Sequence, residues 1–221
     1  MTHLLHLDAS GRGDSFSRRL GETFVAGWRA THPDGVYTYR DLVADPVPPV
    51  DEDRVDLATR SSAHGVRDIE TMDQVAAGAP GTARSWANTR PLVEQLLAAD
   101  VLLLGVPMYN FTVPAAFKAW IDHVTLPWLP LKGKSAVVLS ARGGAYGPGA
   151  PRERFDFQEP YLRAYFSALG LDDVSFVHTE LTHAAVMPFL ARFRDRHETS
   201  HAAALDAVRD LAARVRAGTP S

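Results

Sequence analysis

The 221-residue chain contains no cysteine, which excludes thiol catalysis, disulfide cross-links and metal centres held by thiolates. It also lacks a surplus of positive charge, because 23 Lys and Arg residues face 26 Asp and Glu residues. Nucleic-acid binding usually needs clustered Lys and Arg, so the composition argues against that class. No apolar run approaches the roughly 20 residues of a membrane span, and the N-terminus carries no signal-peptide pattern. We therefore expect a cytoplasmic protein without nucleic-acid or membrane partners.

What is present is the composition of an ordinary folded protein. Hydrophobic residues make up 46% of the chain and charged residues 22%. A chain of this length buries roughly 70% of the surface that it exposes when unfolded, which is enough for one self-sufficient core. We predict a single domain over residues 1–221.

Short apolar runs alternate with amphipathic helical patterns, which is typical of α/β proteins with a parallel sheet. The predicted strands are 3–8, 36–39, 101–106, 135–140 and 174–178, and the predicted helices are 17–31, 83–99, 114–123, 161–169 and 200–217. Residues 43–82 begin with three prolines and continue with many polar residues, so we expect an irregular insertion. The pattern predicts a doubly wound five-stranded parallel sheet in the flavodoxin-like order 2-1-3-4-5, with helices on both faces.

In such a sheet, ligands bind beyond the carboxyl ends of the strands, near the switch point between the first and third strands. The loop after the first strand contains Ser10, Ser15, Phe16 and Ser17 and leads into a predicted helix. It is not a dinucleotide fingerprint, because Phe16 stands where the third glycine belongs. Its hydroxyl groups and the free N–H groups of the helix start favour a phosphate monoester. The alternative is that Ser15 or Ser17 only caps the helix.

The loop after the third strand contains Met108, Tyr109, Asn110 and Phe111 between two prolines. Aromatic faces and an amide at one strand end suit a flat ring with polar edges. The alternative is a proline-braced turn whose aromatic side chains complete the core.

The loop after the fourth strand contains Arg142, Gly143, Gly144 and Tyr146. Paired glycines let backbone N–H groups approach a ligand closely, although Gly-Gly alone is also a common turn. Three such loops at three neighbouring strand ends are jointly more specific than any one of them.

Together these motifs resemble the FMN-dependent NADH:azoreductase family of flavodoxin-like quinone and azo-dye reductases, which is distantly related to DT-diaphorase. The resemblance extends over most of the chain and includes Arg40-Asp41-Leu42 and the run 156–162. It implies a homodimer with one FMN per subunit, and we expect residues 50–82 to lie against the second subunit. By position, Ser10, Ser15, Phe16 and Ser17 would hold the phosphate, Met108, Tyr109, Asn110 and Phe111 would flank the isoalloxazine, and Arg142, Gly143 and Gly144 would meet its pyrimidine edge.

The resemblance also implies a ping-pong reaction in which NADH or NADPH donates a hydride and a quinone-like or azo acceptor then takes two electrons. Tyr146 falls where family members often place a residue close to the substrate. Two alternatives remain: a specialised reductase of one aromatic substrate, or a flavodoxin-like binding or regulatory module without turnover.

Two further segments bear on these expectations. Residues 124–130 are shorter than the aromatic segment that family members usually carry there, which predicts intact FMN binding but a changed pocket. His197-Glu198-Thr199-Ser200-His201 matches H-E-x-x-H, the metalloprotease motif. It lies among charged residues and no third His or Glu follows it, so we expect a charged helix start and no metal site.

Overall fold

The computed structural model describes residues 1–129 and 131–215. Its strands are β1 (His3–Asp8), β2 (Val36–Asp41), β3 (Val101–Gly105), β4 (Ser135–Ala141) and β5 (Asp173–Thr179). Its helices are α1 (Phe16–Thr31), α2 (Glu52–Ala63), α3 (Ile69–Ala76), α4 (Pro80–Ala98), α5 (Ala115–Val124), α6 (Gln158–Ala168) and α7 (Arg194–Arg214). The part of the predicted last helix beyond residue 215 lies outside the described residues.

The strands form one parallel sheet in the order β2-β1-β3-β4-β5, as predicted. Strand β1 pairs with β2 and β3, and β4 lies between β3 and β5. All residues of β3 are buried, because helices cover both faces of a parallel sheet and leave no solvent-facing side.

Two apolar layers lie on opposite faces of the sheet. Alternating strand residues point to opposite faces, so Leu5 and Leu7 join the larger layer while Leu4 joins the smaller one. The smaller layer packs against α1 and α7, which meet closely where Gly27 faces Ala212. This arrangement leaves the carboxyl edge of the sheet to the loops.

The expectation of an irregular segment over 43–82 is wrong. It contains α2, α3 and the first turn of α4. Asp51 and Asp68 cap α2 and α3, each accepting a hydrogen bond from a backbone N–H three residues later. The helices are hard to recognise in the sequence because each buries only two or three side chains and is otherwise polar.

Candidate active site

A cleft of about 380 Å³ lies at the carboxyl edge of the sheet, where the loops after β1, β3, β4 and β5 meet. It is lined by Ser10, Arg12, Asp14, Ser15, Phe16, Arg19, Pro107, Met108, Tyr109, Ala141, Gly143, Thr182, His183, Ala185 and Val186. The three loops singled out in the sequence therefore do converge, and a fourth, after β5, joins them.

The loop after β1 forms one end of the cleft. Ser15 is the N-cap of α1, and its Oγ accepts a hydrogen bond from the backbone N–H of Arg18 at 3.2 Å. The Ser15 and Ser17 hydroxyl oxygens lie 3.1 Å apart. The N–H groups of the first helical turn have no carbonyl acceptor within the helix, so this end of the cleft offers hydroxyl and backbone donors to an anion.

Arg18 fixes the shape of this loop. Its guanidinium donates hydrogen bonds to the backbone carbonyls of Ser10 and Arg12, at 2.9 and 3.1 Å. Both carbonyl oxygens therefore point toward the Arg18 side chain. It also donates to Asp41 at 2.8 Å and lies 3.4 Å from Asp8. Burial opposes the charge on Arg18, but these two carboxylates outweigh it and raise the pKa of the guanidinium.

Asp8 and Asp41 are the counterions of that arginine. The pKa of Asp41 is lowered although burial opposes this, because the N–H groups of Val43 and Ala44 and the Arg18 guanidinium all donate to its carboxylate. Asp8 needs the glycine at position 105, since a Cβ there would lie 2.1 Å from its Oδ1. Burial and the Asp8 carboxylate raise the pKa of Tyr39, which donates to Asp8, to about 12.

The loop after β3 forms one wall and is strongly bent. Asn110 and Phe111 adopt positive φ angles of 47° and 74°, a region that costs free energy for residues other than glycine. The turn is closed by hydrogen bonds between the backbones of Tyr109 and Thr112. The Tyr109 hydroxyl accepts a hydrogen bond from the N–H of Gly11 at 3.2 Å, which ties this loop to the first one.

The four residues 108–111, predicted to flank one ligand, do not all face the cleft. Met108 and Tyr109 line the cleft, whereas Asn110 lines a separate depression together with Lys118 and Tyr161. The Phe111 ring lies 5.5 Å from the ring of Phe155 and is 40% exposed.

The loop after β4 forms the other end of the cleft, but the side chain of Arg142 does not point into it. This side chain is 1% exposed and lies 2.9 Å from Asp156 and 3.8 Å from both Glu159 and Glu180. Glu180 in turn accepts hydrogen bonds from the N–H groups of Tyr146 and Gly147, at 2.7 and 2.9 Å. Arg142 therefore does not line the cleft, although its neighbours Ala141 and Gly143 do.

Gly143 faces His183, which the sequence analysis missed. A Cβ at position 143 would lie 2.4 Å from the imidazole ring, so only glycine allows this approach. The backbone carbonyls of Arg142 and Gly144 accept hydrogen bonds from Thr182 and Leu181, which join the loops after β4 and β5. Tyr146, the predicted substrate contact, is 7% exposed and does not line the cleft.

His183 could have been found from the topology alone. The loop after β5 ends at the same edge of the sheet as the other three, although it contains no glycine pair or known motif. Leu181, two residues earlier, has a φ of 57°. Such strain is tolerated where surrounding contacts impose it, often at functional sites.

The H-E-x-x-H motif lies at the start of α7 and packs behind the cleft. His197 Nδ1 lies 2.8 Å from the Glu180 carbonyl, and the rings of His197 and His201 contact the edge of Phe16. Within residues 1–129 and 131–215, no group of three or more His, Asp or Glu could hold a metal ion. Nor is any helix in this part of the chain long and apolar enough to cross a membrane.

The segment after α5, which the sequence analysis expects to be shorter than in the family, packs into the core. Leu126 and Leu129 are buried in the larger apolar layer. None of the described residues 124–129 lines the cleft.

Residues 2–202 match the model of a protein family described as having a flavodoxin-like fold. The fold and the family match thus define a flavodoxin-like protein with a cleft at its strand ends. An FMN-dependent NADH:quinone oxidoreductase of Nocardia farcinica (strain IFM 10152) is 46% identical over 212 residues, which are 96% of this chain and 98% of the relative. A protein of the same name from Frankia casuarinae is 40% identical over 219 residues, 95% of this chain and 98% of that one. The chain belongs to this family of flavodoxin-like oxidoreductases.

Solved structures show the same fold at lower identity. An azoreductase from Bacillus anthracis str. Sterne superposes with a TM-score of 0.80 at 24% identity, covering 97% of this chain and all of the other. An FMN-dependent NADH-azoreductase from Bacillus anthracis str. Ames Ancestor, solved in complex with FMN, gives a TM-score of 0.76 at 18% identity, covering 96% and 99%.

Proposed function

We propose that the protein is a cytoplasmic FMN-dependent oxidoreductase that takes a hydride from NADH or NADPH and reduces quinone-like or azo aromatic acceptors by two electrons. The observation that carries this proposal is a single cleft that joins two kinds of group. At one end, the loop after β1 offers hydrogen-bond donors to an anion, and at the other end lies the glycine of the loop after β4. Relatives at 46% and 40% identity that bear the corresponding name support it.

The residues present fit FMN. Ser15 and the start of α1 would bind the phosphate, and Ser10 would border it. Ser17 was predicted to bind it too, but its side chain is buried outside the cleft, with its hydroxyl oxygen 3.1 Å from that of Ser15. Met108 and Tyr109 would contact the ring system from the wall after β3. At the far end, Gly143 borders the cleft, and its missing side chain leaves room for the His183 ring beside it. When bound, FMN supplies the two-electron chemistry, which no side chain of this protein can perform.

The protein's own part in the reaction is to bind, orient and donate hydrogen bonds. His183 borders the same cleft and lies against Gly143, so it is better placed than the buried Tyr146 to donate a hydrogen bond or proton to an acceptor. One cleft of about 380 Å³ favours alternate occupancy by the nicotinamide and the acceptor. We therefore expect ping-pong kinetics, with parallel double-reciprocal plots.

The assembly that fits this function is a homodimer. The loops around the cleft carry exposed apolar side chains, with Phe111 at 40%, Val186 at 56% and Phe189 at 75% exposure. Exposed apolar residues grouped on one side often mark an interface. We include α2 and α3 in this interface, since Val55 on α2 is 57% exposed. A monomer in analytical ultracentrifugation would contradict the dimer.

The first experiment is a visible spectrum of the protein after addition of FMN and desalting, followed by NADH under anaerobic conditions. We expect a retained yellow spectrum that bleaches, and a quinone should restore the colour. A colourless protein would overturn the proposed site. Retained flavin that NADH does not bleach would favour the binding module without turnover. Bleaching that only one acceptor reverses would favour the specialised reductase.

A matched pair of variants tests where FMN binds. Asp and Asn are both good N-caps, so Ser15→Asp and Ser15→Asn should both preserve α1. Only Ser15→Asp adds negative charge beside the proposed phosphate. We expect it to weaken FMN binding by at least about tenfold, as for a like-charge contact at a partly exposed site, while riboflavin binding changes little. Equal FMN affinity in the two variants would place the phosphate elsewhere.

A further inference from the structure

A side chamber of about 220 Å³ adjoins the cleft. Gly143 and His183 line both spaces, so the chamber lies directly beside the proposed site. Its walls are largely apolar, and two guanidinium groups, those of Arg152 and Arg196, border it. The full lining is Gly143, Gly144, Ala145, Pro151, Arg152, Leu181, His183, Ala184, Leu190, Phe193 and Arg196.

Arg152 and Arg196 have no carboxylate within ion-pair distance among the described residues. Both are exposed. Two acids of the adjoining loops accept hydrogen bonds from the backbone: Glu153 from the N–H of Gly149, and Glu180 from those of Tyr146 and Gly147. The two cations are thus available to a ligand.

Each of these two arginines has one contact with the chamber wall. The Arg152 stem lies against Gly144, where an added Cβ would be 3.3 Å from its Cδ. The Arg196 guanidinium lies 5.9 Å from the centre of the Phe193 ring. Apolar walls with guanidinium groups at the border suit an aromatic ring that carries an acid group, because guanidinium donates paired hydrogen bonds to two oxygens of a carboxylate or of a tetrahedral oxyanion.

We propose that this side chamber is an anion subsite that selects aromatic acceptors bearing a carboxylate or sulfonate. The inference rests on the proposed function, and it names the acceptor class for that same site. The chamber is too small to enclose the adenosine diphosphate half of a nicotinamide dinucleotide, whereas about 220 Å³ accommodates one substituted ring. The acceptor therefore places its acid group by Arg152 and Arg196 while its reducible part stays in the cleft beside His183.

The test compares two acceptors of similar shape, 1,4-naphthoquinone and its 2-sulfonate, on the FMN-loaded protein. We expect Arg152→Gln and Arg196→Gln each to raise the KM of the sulfonate about threefold, and the double variant to raise it about tenfold, as for exposed ion pairs. The KM values of the neutral quinone and of NADH should change less than twofold. Added salt should remove part of the difference between the two acceptors. Arg154→Gln is the matched control, since this neighbouring guanidinium lies over the Phe155 ring outside the chamber.

Binding without turnover gives a second readout. Isothermal titration of the FMN-loaded protein with naphthalene-2-sulfonate should show weaker binding in the double variant, while its neutral analogue naphthalene-2-sulfonamide should bind both proteins alike. The subsite would be overturned if the double variant lost the same affinity for the charged and the neutral ligand, or lost affinity for neither. A rise in the KM of NADH alone would also overturn it and assign the arginines to the dinucleotide diphosphate. Failure of the parent protein to retain FMN or oxidise NADH would instead refute the proposed function.

Discussion

Two arginines hold loops at the same edge of the sheet, one after β1 and one after β4, and they do so in different ways. Arg18 donates directly to two backbone carbonyls of the loop after β1 and to the Asp41 carboxylate. Among the residues that the structure describes, Arg142 donates no hydrogen bond to a loop carbonyl. It lies among three carboxylates, one of which, Glu180, accepts hydrogen bonds from the loop after β4.

The two sites also differ in how completely the guanidinium is satisfied. Each of the three Arg18 nitrogens has an acceptor, whereas Nε and Nη2 of Arg142 have no hydrogen-bond partner in the part of the chain that the structure describes. Arg142 is therefore chiefly a buried counterion, and Arg18 chiefly shapes a binding loop. This difference predicts that substitution of Arg142 chiefly lowers stability, whereas substitution of Arg18 lowers cofactor affinity in addition to removing the cation of Asp8 and Asp41.

The largest expected effect is that of Arg142→Met. Removing one member of a buried ionic group leaves uncompensated charge, which typically costs about 3–5 kcal/mol. Here Asp156, Glu159 and Glu180 would lose their shared cation. Urea denaturation of the FMN-free protein measures the free energy of unfolding.

The matched control is Arg163→Met. Arg163 pairs with the same Glu159 at 2.6 Å, but its side chain is 54% exposed. An exposed pair contributes about 1 kcal/mol or less. If the two variants were equally destabilised, burial would not be what distinguishes these arginines.

A smaller effect is expected from the titration of Glu159. The hydrogen bond from His178 is the largest cause that lowers the pKa of Glu159, and Arg163 lowers it further. Burial raises this pKa, but the result is still a pKa of about 2. Because the folded-state pKa lies below the unfolded value of about 4.3, the stabilisation is complete above that value. It is lost as the pH falls toward 2.

The measurement is the free energy of unfolding of the parent and of Glu159→Gln between pH 6 and pH 3. Their difference should shrink toward acid pH by about 1–2 kcal/mol, after allowance for partial exposure. Glu198→Gln, an exposed change on α7, should leave the pH dependence as in the parent. A constant difference for Glu159→Gln across this range would contradict the lowered pKa.

The comparison of these loops also shows which features can be predicted from the sequence. The strand order follows from its pattern, because a run such as 101–105 that is apolar on both faces must be central in the sheet. Three of the four loops at the cleft were likewise visible as glycine, serine and aromatic motifs. The burial of Arg142 was not, since its partners Asp156, Glu159 and Glu180 become neighbours only through folding.

His183 was missed for a related reason. It has no motif of its own, and its place in the cleft depends on Gly143 coming from another strand end. The helices α2 and α3 were missed because their caps, Asp51 and Asp68, lie in a run rich in Asp, Gly and Ser. In such a run, capping residues and loop residues are the same residue types.

The smallest expected effect is that of Arg18→Met on cofactor binding. Without the guanidinium, the carbonyls of Ser10 and Arg12 lose their hydrogen-bond donors. The loop after β1 is then held less firmly in the conformation that would bind a phosphate. We expect FMN affinity to fall about fivefold, roughly the value of one lost charge-assisted hydrogen bond at a partly exposed site. Riboflavin, which lacks the phosphate, should bind parent and variant alike, and fluorescence quenching measures both affinities.

Arg29→Met on the same helix is the control, since that guanidinium lies over the Tyr37 ring away from the loop. If riboflavin lost as much affinity as FMN, Arg18 would support the whole cleft and would resemble Arg142 more than the hydrogen bonds indicate.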